Sequence, residues 1–130
     1  MGKIVVMVAD ELPFLRAELR QVIAQGRGAE TIEIIECDPG VDGNDAVAQI
    51  DAISPDVVLL DINFPHRDGL VLCRKIVRNT PQTKVVMLTS NPSEDDDELF
   101  EAIKSGASAY LMTESCTPQE LTETIERASR

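Results

Sequence analysis

The sequence predicts an α/β fold, a doubly wound parallel sheet built from five strand-helix units. Five short runs rich in valine and isoleucine show little polar alternation, which is typical of strands covered on both faces. Amphipathic helical patterns separate these runs, and such alternation makes a parallel sheet with helices on both sides. The strands are predicted at Ile4–Ala9, Ile32–Cys37, Val57–Ile62, Lys84–Thr89 and Ala109–Met112.

The first three predicted helices are placed by their apolar spacing and by where they must stop. The first carries apolar residues at helical spacing over Leu12–Ile23 and ends at Gly26. The second ends before Pro55 and the third before Pro81, because proline cannot continue a helix and restricts the residue before it.

Capping signals place the last two predicted helices. The fourth begins near Ser93, with acidic residues 94–97 in its first turn, where the helix dipole favours anions. It ends at Gly106, a C-cap glycine. The fifth begins at Thr117–Glu120, which is a capping box with proline at the first helical position.

Length and composition limit the possible functions. The chain has 130 residues, so we expect one domain spanning residues 1–130. Its formal net charge of −11 argues against direct binding of nucleic acid or an anionic membrane by this domain. The cysteines Cys37, Cys73 and Cys116 show no zinc or redox spacing, which indicates reduced thiols in a cytoplasmic protein. The run Ile4–Ala9 is too short for a signal peptide or a membrane span.

Polar residues follow the apolar strands where a site is expected. Open parallel sheets bind ligands beyond the carboxyl ends of their strands. Asp10 and Glu11 follow the first strand, Asp61 ends the third, and Thr89 ends the fourth. In the strand order 2-1-3-4-5 the first and third strands are neighbours, so the three carboxylates would converge.

This convergence has a chemical consequence. Three close carboxylates repel one another unless they separate, take up a proton or capture a cation. Oxygen ligands with room for water suit Mg²⁺. An aspartate beside such a cation is a nucleophile toward phosphorus, and Thr89 could donate a hydroxyl hydrogen bond to the phosphoryl group.

Each of these residues also has a structural explanation. Asp10-Glu11 alone would be interpreted as a helix N-cap, and Thr89-Ser90 alone as a turn. Their joint placement on three strands favours a site. Asp68-Gly69 is interpreted as a turn and N-cap of the third helix, and Cys73 and Met112 as core residues.

The chain resembles the receiver domain of two-component response regulators over nearly its whole length. The resemblance is carried by four segments: Asp10-Glu11 with residues 12–16, Asp61–Gly69, Thr89-Ser90 and Gly106–Leu111. It is strongest toward the receivers of helix-turn-helix DNA-binding regulators. The resemblance implies a flavodoxin-like fold with strand order 2-1-3-4-5.

The resemblance also implies a role for each matching residue. Asp61 would be the phosphoacceptor. Thr89 would contact the phosphoryl group and move with it, and Tyr110 would be the aromatic residue that changes rotamer with signalling state. The ligands implied for Mg²⁺ or Mn²⁺ are Asp10, Glu11, Asp61 and the backbone carbonyl of Asn63.

One departure from the family pattern concerns Thr113. The family has a lysine three residues after the position of Tyr110, where it binds the phosphoryl group and couples it to the switch. Neither Lys84, at the start of a strand, nor Lys104, on the fourth predicted helix, is an obvious substitute. The departure leaves acyl phosphate formation possible but weakens the expected phosphorylation-dependent switching.

Two functions follow from the resemblance. The leading one is a phosphoacceptor receiver that takes a phosphoryl group from a histidine kinase and is no enzyme beyond self-phosphorylation and self-dephosphorylation. It would signal to an output domain or partner protein through the face of the fourth helix, fifth strand and fifth helix, and a homodimer is left open. The alternative is a pseudo-receiver, a protein-interaction module that works without phosphorylation.

Two other classes are disfavoured by particular residues. An aspartate-nucleophile phosphatase would need a second acid two residues after Asp61, where Asn63 stands. A flavin protein would need a phosphate-binding loop after the first strand, where Asp10 and Glu11 stand.

Overall fold

The computed structural model describes residues 3–9, 21, 24, 32–36, 43–62, 69–89, 97–112 and 117–129. The strands are β1 (Ile4–Ala9), β2 (Ile32–Glu36), β3 (Val57–Asp61), β4 (Lys84–Thr89) and β5 (Ala109–Met112). The described helices are α1 (Gly43–Ile53), α2 (Gly69–Asn79), α3 (Asp97–Lys104) and α4 (Pro118–Ala128). They correspond to the second to fifth helices of the prediction. The first predicted helix lies outside the described residues except for Gln21 and Ala24, which are helical.

The five strands form one parallel sheet in the order β2-β1-β3-β4-β5, which confirms the predicted fold and strand order. β3 ends one residue earlier than predicted. Ile62 still donates its N–H to the Leu88 carbonyl (2.9 Å), but its own carbonyl accepts from Gly69 rather than from a strand. The chain therefore turns toward α2 directly after Asp61.

The core lies in two layers, one on each face of the sheet. One layer packs Met7, Val58, Leu60, Val85 and Met87 against helices α1, α2 and α3. The other packs strand residues of opposite parity against Leu121 and Ile125 of α4. Because both layers are aliphatic, β1, β3 and β4 need apolar residues at almost every position. This explains the lack of polar alternation. Each fully buried Val, Leu or Ile side chain stabilises the fold by about 1.5–3 kcal/mol.

Two predicted helix ends are confirmed. Gly106 follows α3 with φ of +99°, a conformation that favours glycine, and its N–H donates to the Ile103 carbonyl (3.1 Å). Thr117 is the N-cap of α4, and its hydroxyl oxygen accepts from the Glu120 N–H (3.1 Å). The predicted start of the fourth helix near Ser93 lies outside the described residues.

None of the helices that the structure describes combines the length and apolar character needed to cross a bilayer.

Candidate functional site

Asp61 and Thr89 lie at the same edge of the sheet, as the sequence predicts. Each is the last residue of its strand, and the strands β3 and β4 are neighbours. Asp61 stands opposite Leu88, so Thr89 is one residue further along. Neighbouring strands are about 4.8 Å apart. Asp61 is partly exposed, whereas Thr89 is only 2% exposed. A partly exposed aspartate and a buried threonine thus end neighbouring strands at one edge, one residue apart in register.

Thr89 and Tyr110 share one face of the sheet. Tyr110 of β5 pairs with Met87, and Thr89 follows Met87 by two residues. The two are therefore diagonal neighbours, roughly 7 Å apart at Cα. Tyr110 is partly buried and packs against the core layer that contains Met87. A displacement of Thr89 would consequently reach Tyr110 across a single strand pair.

The backbone after Asp61 is held by a glycine contact that the sequence analysis did not foresee. Gly69, the first residue of α2, donates its N–H to the Ile62 carbonyl (3.0 Å). A Cβ atom at Gly69 would lie 2.7 Å from the Asp61 carbonyl oxygen. Glycine is required here because α2 begins against the strand end. The sequence pattern indicates only a turn and N-cap at Asp68-Gly69, whereas the structure packs Gly69 against the backbone of Asp61 and Ile62.

Four of the predicted site residues lie outside the described residues: Asp10, Glu11, Asn63 and Thr113. Their convergence on Asp61 stays a prediction. The neighbouring strand ends are described, since Ala9 closes β1 opposite Leu60, and Met112 closes β5 opposite Thr89. In the part of the chain that the structure covers, no three acidic, histidine or cysteine side chains form a metal-binding cluster.

The two residues interpreted as core differ in outcome. Cys73 is buried, with its Sγ 3.7 Å from the Ser105 carbonyl oxygen. Burial raises the pKa of the Cys73 thiol above its ordinary value, while the Ser105 hydrogen bond and Arg74 act in the opposite direction. Met112 is 42% exposed, so its assignment to the core was wrong. It ends β5, an edge strand with a neighbour on one side only.

Comparison with known proteins agrees with this geometry. Residues 6–126 match the family described as response regulator receiver domain. The chain is 35% identical over 128 residues to the "Uncharacterized transcriptional regulatory protein YxjL" of Bacillus subtilis (strain 168), which covers 98% of this chain and 55% of that protein. It is 31% identical over 120 residues to response regulator UvrY of Escherichia coli O157:H7, covering 92% of this chain and 51% of that protein.

A solved structure shows the same fold. The crystal structure of a DNA-binding response regulator of the LuxR family from Staphylococcus aureus is similar, with a TM-score of 0.77 and 27% identity over 97% of this chain and 98% of that chain. The chain spans about half the length of the two curated relatives, 55% and 51%. Because the family match extends over most of the sequence, the chain belongs to the family of response regulator receiver domains.

Proposed function

We propose that this chain is the phosphoacceptor receiver domain of a two-component signalling system, with Asp61 accepting a phosphoryl group from a histidine kinase. One observation carries the proposal: Asp61 ends the buried strand β3 at the carboxyl edge of the sheet and is partly exposed, and Thr89 ends the neighbouring strand β4 at the same edge. Ligands of parallel α/β sheets bind at this edge. The domain is proposed to comprise residues 1–130 and to act in the cytoplasm.

The proposed chemistry is a phosphoryl transfer to a carboxylate. An Asp61 carboxylate oxygen attacks phosphorus, the bond from phosphorus to the donor breaks, and an acyl phosphate forms. The β3–β4 pairing and the Ile62 N–H bond to Leu88 keep the Asp61 backbone in place. Such positioning lowers the barrier because the reacting groups need not be ordered at each encounter. The Thr89 hydroxyl would donate to a phosphoryl oxygen.

Receiver domains of this family generally depend on Mg²⁺. The residues that would hold Mg²⁺ or Mn²⁺ here are Asp10, Glu11, Asp61 and the backbone carbonyl of Asn63. This donor set fits the ion, because it consists of oxygen atoms with few carboxylates, and the partly exposed Asp61 leaves access for water. When bound, the metal would neutralise charge on the phosphoryl oxygens.

The proposed relay runs from the acyl phosphate through Thr89 to Tyr110 and then to a partner. Two apolar side chains support docking on the face formed by α3, β5 and α4. Ile103 of α3 is 60% exposed and Met112 of β5 is 42% exposed. The two curated relatives, one of them named as a transcriptional regulatory protein, are almost twice as long as this chain, which supports an output domain as the partner. No enzymatic activity beyond the gain and loss of the phosphoryl group is proposed.

The second candidate function is a pseudo-receiver that binds a partner without phosphorylation. Thr113 favours it, because threonine cannot supply the charge of the lysine that the family has at this position.

Mass spectrometry after treatment with acetyl phosphate and Mg²⁺ separates the two functions. We expect a mass increase of one phosphoryl group that hydroxylamine removes and that Asp61→Asn abolishes. Asp51→Asn is the matched control, since Asp51 is exposed on α1 and its Oδ1 accepts from Thr80 (3.2 Å), a bond that asparagine preserves. Modification that persists in Asp61→Asn would contradict the assignment of Asp61. An unmodified wild-type protein would favour the pseudo-receiver.

A metal titration tests the cofactor separately. Mg²⁺ should shift the amide resonance of Asp61 and its neighbours, and Asp61→Ala should remove the effect. The absence of any shift at millimolar metal would contradict the proposed site.

A further inference from the structure

We propose that a second site, at the amino edge of the sheet, binds a phosphate group. A cavity of about 400 Å³ lies between the sheet and α4, lined by Lys84, Ser108, Ala109, Thr124, Arg127 and Ala128. Lys84 begins β4 and Ala109 begins β5. The six residues of β4 separate this edge from Thr89 by roughly 16 Å. The site is therefore distinct from the phosphoacceptor site and does not depend on the proposed phosphorylation.

Two cations meet at this cavity in a strongly acidic chain. The formal net charge is −11, yet none of the described residues that line the cavity is acidic. Neither Lys84 nor Arg127 forms a salt bridge to an acidic residue of the described chain, whereas Arg74 and Lys104 both pair with Glu101. Because two neighbouring cations repel each other, an anion between them would stabilise the arrangement.

Asp56 is an acidic residue that contacts the Lys84 backbone, and it has another role. Asp56 accepts the Val5 N–H with its carboxylate (2.8 Å) and the Lys84 N–H with its backbone carbonyl (3.0 Å). It thus ties β1 to β4, with its carboxylate on one side and its backbone carbonyl on the other, and forms no salt bridge to the Lys84 ammonium. The helix dipole would explain a cation in the last turn of α4, but it does not explain Lys84, which begins a strand.

The donor set around the cavity favours phosphate over carboxylate. Arg127 offers a planar fork of N–H groups, and Lys84 offers a compact charge. The Ser108 hydroxyl makes no hydrogen bond to another described residue. The backbone N–H of Ser108 donates to the Val85 carbonyl (2.8 Å). These donors come from three segments of the chain: the start of β4, the residue before β5, and the last turn of α4. The three terminal oxygens of a phosphate group can accept from all of them, whereas a carboxylate has two oxygens.

The size of the cavity suits a phosphate attached to an organic group. At about 30 Å³ of liquid volume for each water, 400 Å³ corresponds to roughly a dozen waters. This volume lies within the usual range of small-molecule sites, about 300–1,000 Å³. Ala109 and Ala128, which line the cavity, carry only methyl side chains, and larger side chains there would reduce the space.

A nuclear magnetic resonance titration without divalent metal tests the proposal. The probes are sodium phosphate, ribose 5-phosphate and sodium acetate, at constant ionic strength and neutral pH. Both phosphates should shift the amides of Lys84, Ser108, Ala109 and Arg127 saturably, and acetate should bind at least tenfold more weakly. Tighter binding of ribose 5-phosphate would identify a phosphate monoester as the ligand, and equal affinity would identify free phosphate.

Three variants make the test specific. Arg127→Gln and Lys84→Gln should each weaken phosphate binding at least tenfold, which corresponds to about 1.4 kcal/mol. Arg78→Gln is the matched control, since Arg78 is an exposed arginine in the last turn of α2 and should leave affinity unchanged. The rest of each amide spectrum reports whether the variant is folded. Shifts that do not saturate, that are equal in all variants, or that occur only near Asp61 and Thr89 would overturn the proposal.

Discussion

Replacing Gly69 with alanine introduces a methyl group where the structure has no room for one. The added Cβ would come closest to the Ile62 carbonyl oxygen, and it would lie 2.6 Å from the Ile62 carbonyl carbon and 2.7 Å from the Asp61 carbonyl oxygen. Cβ atoms essentially never approach closer than 3.0 Å, so the gap must widen by several tenths of an ångström. The obstructing atoms are backbone and cannot rotate aside. The start of α2 must therefore move away from the end of β3, or the end of β3 must move with Asp61.

The expected cost follows from two opposing effects. Overpacking of this kind costs about 1–3 kcal/mol. Alanine recovers up to about 1 kcal/mol relative to glycine in a helix, and less at a first helical residue. We therefore expect Gly69→Ala to lower the free energy of unfolding by about 1–2 kcal/mol. In urea denaturation the midpoint should fall while the m-value stays unchanged.

Gly69→Ala should also slow the phosphorylation of Asp61. A misplacement of about 1 Å can slow a positioned reaction roughly a hundredfold. The initial rate of Asp61 modification by acetyl phosphate and Mg²⁺, followed by mass spectrometry, should fall about ten- to a hundredfold. The protein should remain folded during this assay.

Gly106→Ala is the matched control. Gly106 has φ of +99°, and the added Cβ would lie 3.0–3.1 Å from the Val77 methyl carbons. The Gly106→Ala protein should therefore also lose about 1–2 kcal/mol in its free energy of unfolding. Gly106 precedes β5 and so lies toward the amino edge, away from Asp61. Asp61 in the Gly106→Ala protein should therefore be phosphorylated at the wild-type rate. If both variants are slowed equally, or if Gly69→Ala is slowed by less than twofold, Gly69 does not position Asp61.

Three further changes test other parts of the structure. With beryllofluoride and Mg²⁺ bound, Thr113→Lys should raise the ratio of active to inactive conformation about ten- to a hundredfold through one charge-assisted hydrogen bond, seen as a more complete chemical-shift change at Tyr110. A complete change already in the wild-type protein would contradict this. With the other two cysteines replaced by serine, Cys73 should react with iodoacetamide far more slowly in the folded protein than in urea. Burial raises its pKa, so its contribution to stability should be present below the ordinary value of 9.0 and be lost as the pH rises above it, measurable as a falling urea midpoint. Thr117→Ala should cost about 1 kcal/mol through loss of the bond to the Glu120 N–H, whereas Thr117→Ser should retain most of the stability in the same urea experiment.

The strands and helix ends could be predicted because their causes are local. A strand buried on both faces needs a continuous apolar run, and β1, β4 and β5 begin and end where the prediction placed them. The conformation of Gly106 and the cap at Thr117 follow from single residues at recognisable positions. The placement of Asp61 and Thr89 was predictable for the same reason, since every parallel strand ends at one edge.

Features that depend on packing between distant segments could not be predicted. The need for glycine at position 69 arises from the carbonyl groups of Asp61 and Ile62, and no sequence signal distinguishes this need from that of an ordinary turn. Lys84 and Arg127 meet only because α4 packs beside the amino ends of β4 and β5. In the sequence, Lys84 marks only the start of a strand, and it is no obvious substitute for the lysine missing at Thr113.

The proposed sites at the two ends of β4, near Thr89 and near Lys84, are expected to act independently. β4 is hydrogen-bonded to β3 on one side and to β5 on the other, and its last five residues are buried. A strand held in this way cannot bend or slide without breaking paired bonds, so a change at Thr89 passes across the sheet to Tyr110 more readily than along the strand to Lys84. Allosteric coupling needs an element with two arrangements that both sites bias. Tyr110 is partly buried on the edge strand β5, so we expect the element with two arrangements around Tyr110 rather than in the buried part of β4.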